Sequence, residues 1–179
     1  MAHYKKLVGE KVYLSPVSMD DVEPFLRWVN DIEVSKYITI SHRIYSEVLE
    51  KEAVEKMARS GNTFAIVDKE TDKVIGNCAF LKENLLNRTV EIGIMIGEKD
   101  YWSRGYGADA LRLLINFGFN VRNYHNICLR VVSFNERAIA CYEKVGFKRQ
   151  GVAREAVIHG NKKYDLIYMD ILATEYFGE

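Results

Sequence analysis

Around Arg104-Gly105-Tyr106-Gly107-Ala108 two glycines stand one residue apart, immediately before a run with helical spacing. Glycine removes side chains where a strand-like segment turns into a helix, so backbone N–H groups from Arg104 to Ala108 can point outward together. A turn of this kind cradles an anion. The helix dipole adds partial positive charge at the same place, and a pyrophosphate is the natural guest. Competing phosphate motifs are absent, since neither Lys-Ser nor Lys-Thr follows the glycines and no G-x-G-x-x-G is present. The plainer reading, a turn that only turns, stands beside this one. Tyr142 is a second candidate: it lies two helical turns beyond Asn135 and shares its face. Asn135 reads as a helix N-cap accepting the Ala138 N–H, and a helical tyrosine is usually packing. Glu91, near the start of a strand, reads first as a solvated or ion-paired residue.

The elements that position these residues follow from periodicity. Thr89–Ile96 is rich in β-branched and apolar residues and short enough for a strand. Ala108, Leu111, Ile115 and Phe119 recur as one face of a helix over 105–120. Ile127–Val132 is a β-rich run reached through that helix, so it pairs parallel with Thr89–Ile96. Asn135 opens a helix that ends near Val145, with Gly146 as its cap. Upstream, Lys11–Leu14 reads as a strand, Ser18 with Asp21 as a helix start, and Ser46 as the cap of a helix reaching Ser60. Pro24 sets the true start of the first helix later than Ser18 suggests. Thr63–Val67 and Val74–Leu81 form a hairpin, 84–88 turn into the central strand, and strands at about 148–158 and 163–172 close the chain. Asn30–Ile40 is ambiguous.

The bulk numbers exclude several classes. A chain of 179 residues with 48% hydrophobic and 12% aromatic content suits a single domain over 1–179 with one sizeable core. Lys plus Arg equals Asp plus Glu at 25 each, so no global field recruits nucleic acid or an anionic membrane. The three cysteines, Cys78, Cys128 and Cys141, are scattered and lack C-x-x-C spacing, against both a disulfide framework and a zinc site. With no apolar leader and no window approaching ~20 apolar residues, a cytoplasmic location is expected.

With the stretch N-E-R-A-I-A-C-Y-E-K-V-G-F from Asn135 to Phe147, the glycine loop resembles the GNAT superfamily of acetyl-coenzyme A dependent N-acetyltransferases. The pattern N-D-x-x-V-x-K-Y from Asn30 is similar to the spermidine and ribosomal-protein acetylating branches. The resemblance implies a mixed α/β fold: a mostly antiparallel seven-stranded sheet with one parallel pair, flanked by about four helices. It implies acetyl-coenzyme A as cosubstrate, its diphosphate on Arg104, Gly105, Tyr106, Gly107 and Ala108, its pantetheine arm along Ile94, Met95 and Ile96, and a contact to Asn135. Trp102 departs from the family's Gln or Arg at the loop's start. Tyr142 would protonate the departing thiolate and Glu91 would be the general base, with a backbone N–H near Met95 or Ile96 meeting the oxyanion. His125 and His159 match no family catalytic position and read as surface residues, and Cys141 as buried packing. The implied partner is a small-molecule or peptide amine, and a homo-oligomer is compatible with the sequence. A non-catalytic acyl-coenzyme A binding or sensing module on the same fold is the alternative.

Overall fold

In the computed structural model, which describes residues 3–38 and 42–178, the strands are β1 (Leu7–Val8), β2 (Val12–Pro16), β3 (Thr63–Asp68), β4 (Val74–Asn84), β5 (Thr89–Ile96), β6 (Asn126–Val132), β7 (Lys148–His159) and β8 (Lys162–Leu172). The helices are α1 (Val22–Asn30), α2 (Ile32–Ser35), α3 (Glu47–Ser60), α4 (Tyr106–Asn120), α5 (Glu136–Val145) and α6 (Ala173–Phe177), with short 3-10 turns at Met19–Asp21 and Lys99–Tyr101. The strands form one sheet in the order β1-β2-β3-β4-β5-β6-β8-β7. β5 and β6 are parallel, with Thr89 opposite Asn126 and Glu91 opposite Cys128. The β1–β2, β2–β3, β3–β4, β6–β8 and β7–β8 pairs are antiparallel.

The expected mixed, mostly antiparallel sheet is therefore present, with eight strands in place of seven. The extra one, β1, is two residues long, too short for alternation to register in the sequence. Four of the helices are those anticipated, and α2 and α6 add about one turn each. The ambiguous stretch resolves in part: Asn30 ends α1 and Asp31 caps α2, while Thr39 and Ile40 lie outside the described residues. Ser18 and Asp21 form a reciprocal capping box, but it caps the 3-10 turn at Met19–Asp21. The α-helix begins at Val22, so Pro24 falls in its first turn, where a missing N–H removes no helical bond. Among the described residues no helix is long and apolar enough to cross a membrane.

The chain divides into two compact units, Met1–Ala79 with Ile94–Leu114, and Phe80–Gly93 with Ile115–Glu179. The core of the first gathers Tyr13, Phe25, Trp28, Val54 and Val67. A methyl on Gly97 would lie 2.0 Å from the Trp28 ring, so only glycine lets the indole press against the backbone after β5. Next to it Glu98 is buried. Its Oε1 accepts the Trp28 Nε1–H at 2.9 Å and Arg27 at 2.5 Å, and Lys73 reaches Oε2 at 2.7 Å.

Burial alone would raise the Glu98 pKa, but the donors from Lys73, Arg27 and Trp28 outweigh it and hold the carboxyl at about 2. A lowered folded-state pKa contributes stability that is fully present above the ordinary value of 4.5 and is lost as pH falls through about 2. Arg27 and Lys73 are half exposed, so the contribution is discounted to roughly 2 kcal/mol. Glu98→Gln is expected to lower the melting temperature at pH 7 by roughly 4–8 °C. It should also flatten the loss of stability between pH 4.5 and 2, the window set by the shift. Parallel acid-titration curves for variant and wild type would contradict this account.

In the second unit, Leu129 opposes Met169 and Val131 opposes Ile167 across the β6–β8 pair, and all four are buried. Gly118 on α4 lies beneath Ile127, where a methyl would meet Cδ1 at 2.8 Å. The helix stripe read from the sequence is buried throughout: Ala108, Leu111, Ile115 and Phe119 are each no more than 6% exposed.

Candidate active site

The glycine loop lies in the first unit. Between the 3-10 turn and α4 the backbone adopts the left-handed region twice, at Ser103 (φ +59°) and at Gly105 (φ +87°). The first bond of the α4 ladder here runs from the Asp109 N–H to the Gly105 carbonyl at 3.0 Å, so the N–H groups of Tyr106, Gly107 and Ala108 precede it. A methyl on Gly107 would touch only Ile96 Cγ1, at an ordinary 3.6 Å. Packing therefore does not demand glycine at 107, whereas close approach of a ligand to the backbone would.

The loop is framed by groups from elsewhere in the unit. Asp109 is buried and accepts the N–H groups of Lys11 at 2.8 Å and Val12 at 3.0 Å, with Glu10 at 3.3 Å. That grip sets Lys11 beside the loop: its Nζ lies 5.2 Å from the centre of the Tyr106 ring, and the Arg104 guanidinium lies 5.9 Å from the same ring. Tyr106 is braced edge-on by Tyr101 at 4.8 Å, whose hydroxyl donates to Asp68 at 3.1 Å. Two cations therefore stand over one ring beside a helix N-terminus, with the carboxylates of Asp68 and Glu70 in electrostatic reach of the same ring. Sequence reasoning missed Lys11, because nothing in its local pattern connects the β1–β2 turn to α4.

Trp102 proves to be more than a missing polar contact. Its Nε1–H donates to the Ile96 carbonyl at 2.7 Å, tying the loop to the end of β5. Along β5, Ile94, Met95 and Ile96 are half buried. The Met95 carbonyl lies over Gly76 of β4, where a methyl would come within 2.1 Å of the oxygen. Strand alternation turns the backbone groups of Ile94 and Ile96 away from those of Met95.

Tyr142, Asn135 and Glu91 belong to the second unit. Asn135 caps α5, its side chain accepting the Ala138 N–H at 3.3 Å, and Gly146 (φ +116°) ends the helix. The Tyr142 ring is buried edge-on against Phe147 at 6.0 Å. Its hydroxyl makes no hydrogen bond to a described residue, and no fully enclosed side-chain N or O among the described residues lacks a partner. Burial, with a smaller push from Cys141, raises the phenol above the ordinary tyrosine range, so it keeps its proton at neutral pH. Cys141 itself is half buried, short of the full burial expected. His125 and His159 are exposed.

Glu91 is half buried and fully occupied by cations. Oε1 accepts both Arg130 Nε at 2.9 Å and Nη2 at 2.7 Å, and Oε2 pairs with Lys82 at 3.2 Å. Arg130 arrives from β6, two residues beyond the Cys128 that faces Glu91 across the parallel pair. The structure thus brings Arg104 to Ala108 together with Lys11 in one unit, and places Glu91, Asn135 and Tyr142 in the other.

A glycine loop opening a helix after the central strand, on a sheet with one parallel pair, defines a recognisable class. The chain belongs to the GNAT acetyltransferase family: residues 11–148 match the family described as Acetyltransferase (GNAT) domain. It is 28% identical over 178 residues to the uncharacterized N-acetyltransferase p20 of Bacillus licheniformis, covering 96% of this chain and 98% of that one. A GNAT-family acetyltransferase from Bacillus anthracis superposes with a TM-score of 0.82 at 25% identity, covering 94% of this chain and 99% of that chain. The spermidine N-acetyltransferase of Vibrio cholerae, solved with coenzyme A and spermine, shares the fold with a TM-score of 0.82 at 22% identity, covering 93% and 98%.

Proposed function

We propose that the protein transfers an acetyl group from acetyl-coenzyme A to a primary amine, with Tyr142 as the general acid. The observation that carries this reading is the Tyr142 phenol: a buried ring, a raised pKa and a hydroxyl with no hydrogen-bond partner among the described residues. Acetyl-coenzyme A supplies the acetyl group as an activated thioester. The N–H groups of Tyr106, Gly107 and Ala108, with Lys11 and Arg104 beside them, fit its diphosphate. The edge of β5 at Ile94 and Ile96 takes the extended arm, as a strand added to a sheet does, and an N–H there meets the developing oxyanion. Asn135 adds a polar contact.

The attacking amine must first lose a proton, since an alkyl ammonium with pKa ~10.4 is free to about one part in a few thousand at pH 7. Glu91 takes that proton through Oε2, whose partner Lys82 is an exposed side chain that exchanges readily with water. Oε1 stays on Arg130, which fixes the carboxylate's orientation. Glu91→Gln is therefore expected to lower turnover by about 10²-fold at pH 7, with partial recovery as pH rises and solvent deprotonates the amine. A pH–rate profile identical to that of the wild type would reduce Glu91 to an ion-pair residue.

The competing reading is a non-catalytic acyl-coenzyme A sensor, and the full occupation of Glu91 by two cations favours it. Free-thiol release on mixing acetyl-coenzyme A with polyamines, amino acids, amino sugars and N-terminal peptides separates the two. Turnover with any of these amines supports transfer, and tight binding with no release from any of them supports the sensor.

A further inference from the structure

We propose that Arg154 binds a carboxylate on the acceptor amine, so that the preferred acceptors are amines of the amino-acid type rather than polyamines. This rests on the transferase reading above. Between Ala153 opposite Leu166 and Val157 opposite Tyr164, three residues of β7 face one residue of β8, Asp165. The bulge is built and pinned. Glu155 at its centre takes the left-handed conformation (φ +50°), and its N–H donates to Asp165 Oδ1 at 2.8 Å. Asp165 is in turn locked to the segment before α5: its N–H donates to Ser133 Oγ at 3.2 Å and its carbonyl accepts the Ser133 N–H at 2.9 Å. Two residues after Ser133 stands Asn135, the cap of the helix that carries Tyr142.

What this bulge presents is chemically specific. Arg154 and Glu155 line a surface cavity of about 540 Å³. The Glu155 carboxylate is already neutralised by Lys163 at 2.7 Å. Arg154 makes no ion pair with a described residue. Of the two described residues that line the cavity, Arg154 is the one whose charge is not already paired, and its planar, fork-shaped donor matches a carboxylate, whereas it would repel a cationic amine brought to the same place. A bulge that re-aims side chains is a frequent device beside functional sites, and here it turns one arginine toward the cavity.

The test uses matched diamines that differ only in the carboxylate, L-ornithine against putrescine and L-lysine against cadaverine. Thiol release gives kcat/KM for each, and calorimetry with coenzyme A present gives their affinities. The wild type is expected to prefer the carboxylate-bearing member of each pair. Arg154→Ala should reduce that preference by about 10- to 100-fold, mostly through KM, the usual worth of a hydrogen-bonded charge. Arg154→Lys should restore part of it, because it keeps the charge and loses the fork. KM for acetyl-coenzyme A should not change. If the wild type favours putrescine and cadaverine, or if Arg154→Ala leaves both ratios unchanged, the proposal is overturned. Calorimetry decides it even when no thiol is released: carboxylate-dependent binding lost in Arg154→Ala supports the subsite and leaves only the transfer reading to fall, while equal affinities within each pair overturn the subsite.

Discussion

Tyr142→Phe is expected to slow turnover by ~10² to 10⁴ while leaving the affinity for acetyl-coenzyme A nearly unchanged. The structure makes this a clean substitution. The ring's contacts, including the edge-on packing against Phe147, do not involve the hydroxyl. Because that hydroxyl has no hydrogen-bond partner among the described residues, removing it orphans none of them, and the fold should keep its stability. In the proposed reaction the lost group donates a proton to a thiolate of cysteine-like pKa near ~8.5, a charge absent from the ground state and present only as the thioester breaks. Burial holds the phenol protonated beyond the ordinary tyrosine range, so the wild-type rate should show no basic limb from this residue up to about pH 9. Steady-state kinetics with calorimetric binding of the cosubstrate make the measurement. A raised KM for acetyl-coenzyme A with unchanged kcat would make Tyr142 a binding residue, and the acid would have to be sought elsewhere.

The parts of this molecule that were legible in the sequence are those decided by neighbours along the chain. The α4 stripe, the Ser46 and Asn135 caps and the Gly146 stop each depend on residues within a turn or two, and each stands where local chemistry puts it. The loop glycines were legible for the same reason. Long-range partners were not. Nothing near Glu98 in the chain announces Arg27, Trp28 and Lys73, and nothing near Glu91 announces that Arg130 will arrive from β6. The plain reading of Glu91 as an ion-paired residue describes its surroundings correctly, and any role as a base must be exercised from within that pairing. Lys11 and the Asp109 grip that places it join the first strand pair to the helix start, a link visible only once the chain is folded. The β7 bulge puts a glutamate, not a glycine, in the left-handed region, so the residue that usually betrays such a turn is missing.

The second large effect concerns the loop itself. Gly107→Asp is expected to weaken coenzyme A binding by at least ~10³-fold while leaving the protein as stable as the wild type or slightly more so. Position 107 is the second residue of α4, and a Cβ there meets only Ile96 Cγ1 at 3.6 Å, so the side chain is accommodated without displacing anything. A carboxylate in the first turn is favourable to the helix dipole by about 0.3–1 kcal/mol, and replacing glycine by aspartate adds only about 0.1–0.3 kcal/mol, because aspartate is itself a poor helix former. Both terms favour the folded variant. The ligand experiences the reverse. The carboxylate occupies the space above the N–H groups of Tyr106, Gly107 and Ala108 and takes up their donors, and it sets a like charge against the diphosphate. Two such charges about 4 Å apart repel by roughly 4 kcal/mol at an effective dielectric constant near 20, which alone corresponds to ~10³ in affinity. Gly107→Ala separates the two contributions, since it fills the space and adds no charge. It should cost coenzyme A affinity about tenfold, and the further loss in the aspartate variant should shrink as salt screens the repulsion. Thermal denaturation beside calorimetric titration with coenzyme A at two ionic strengths makes the comparison, and wild-type affinity in Gly107→Asp would remove the diphosphate from this loop altogether.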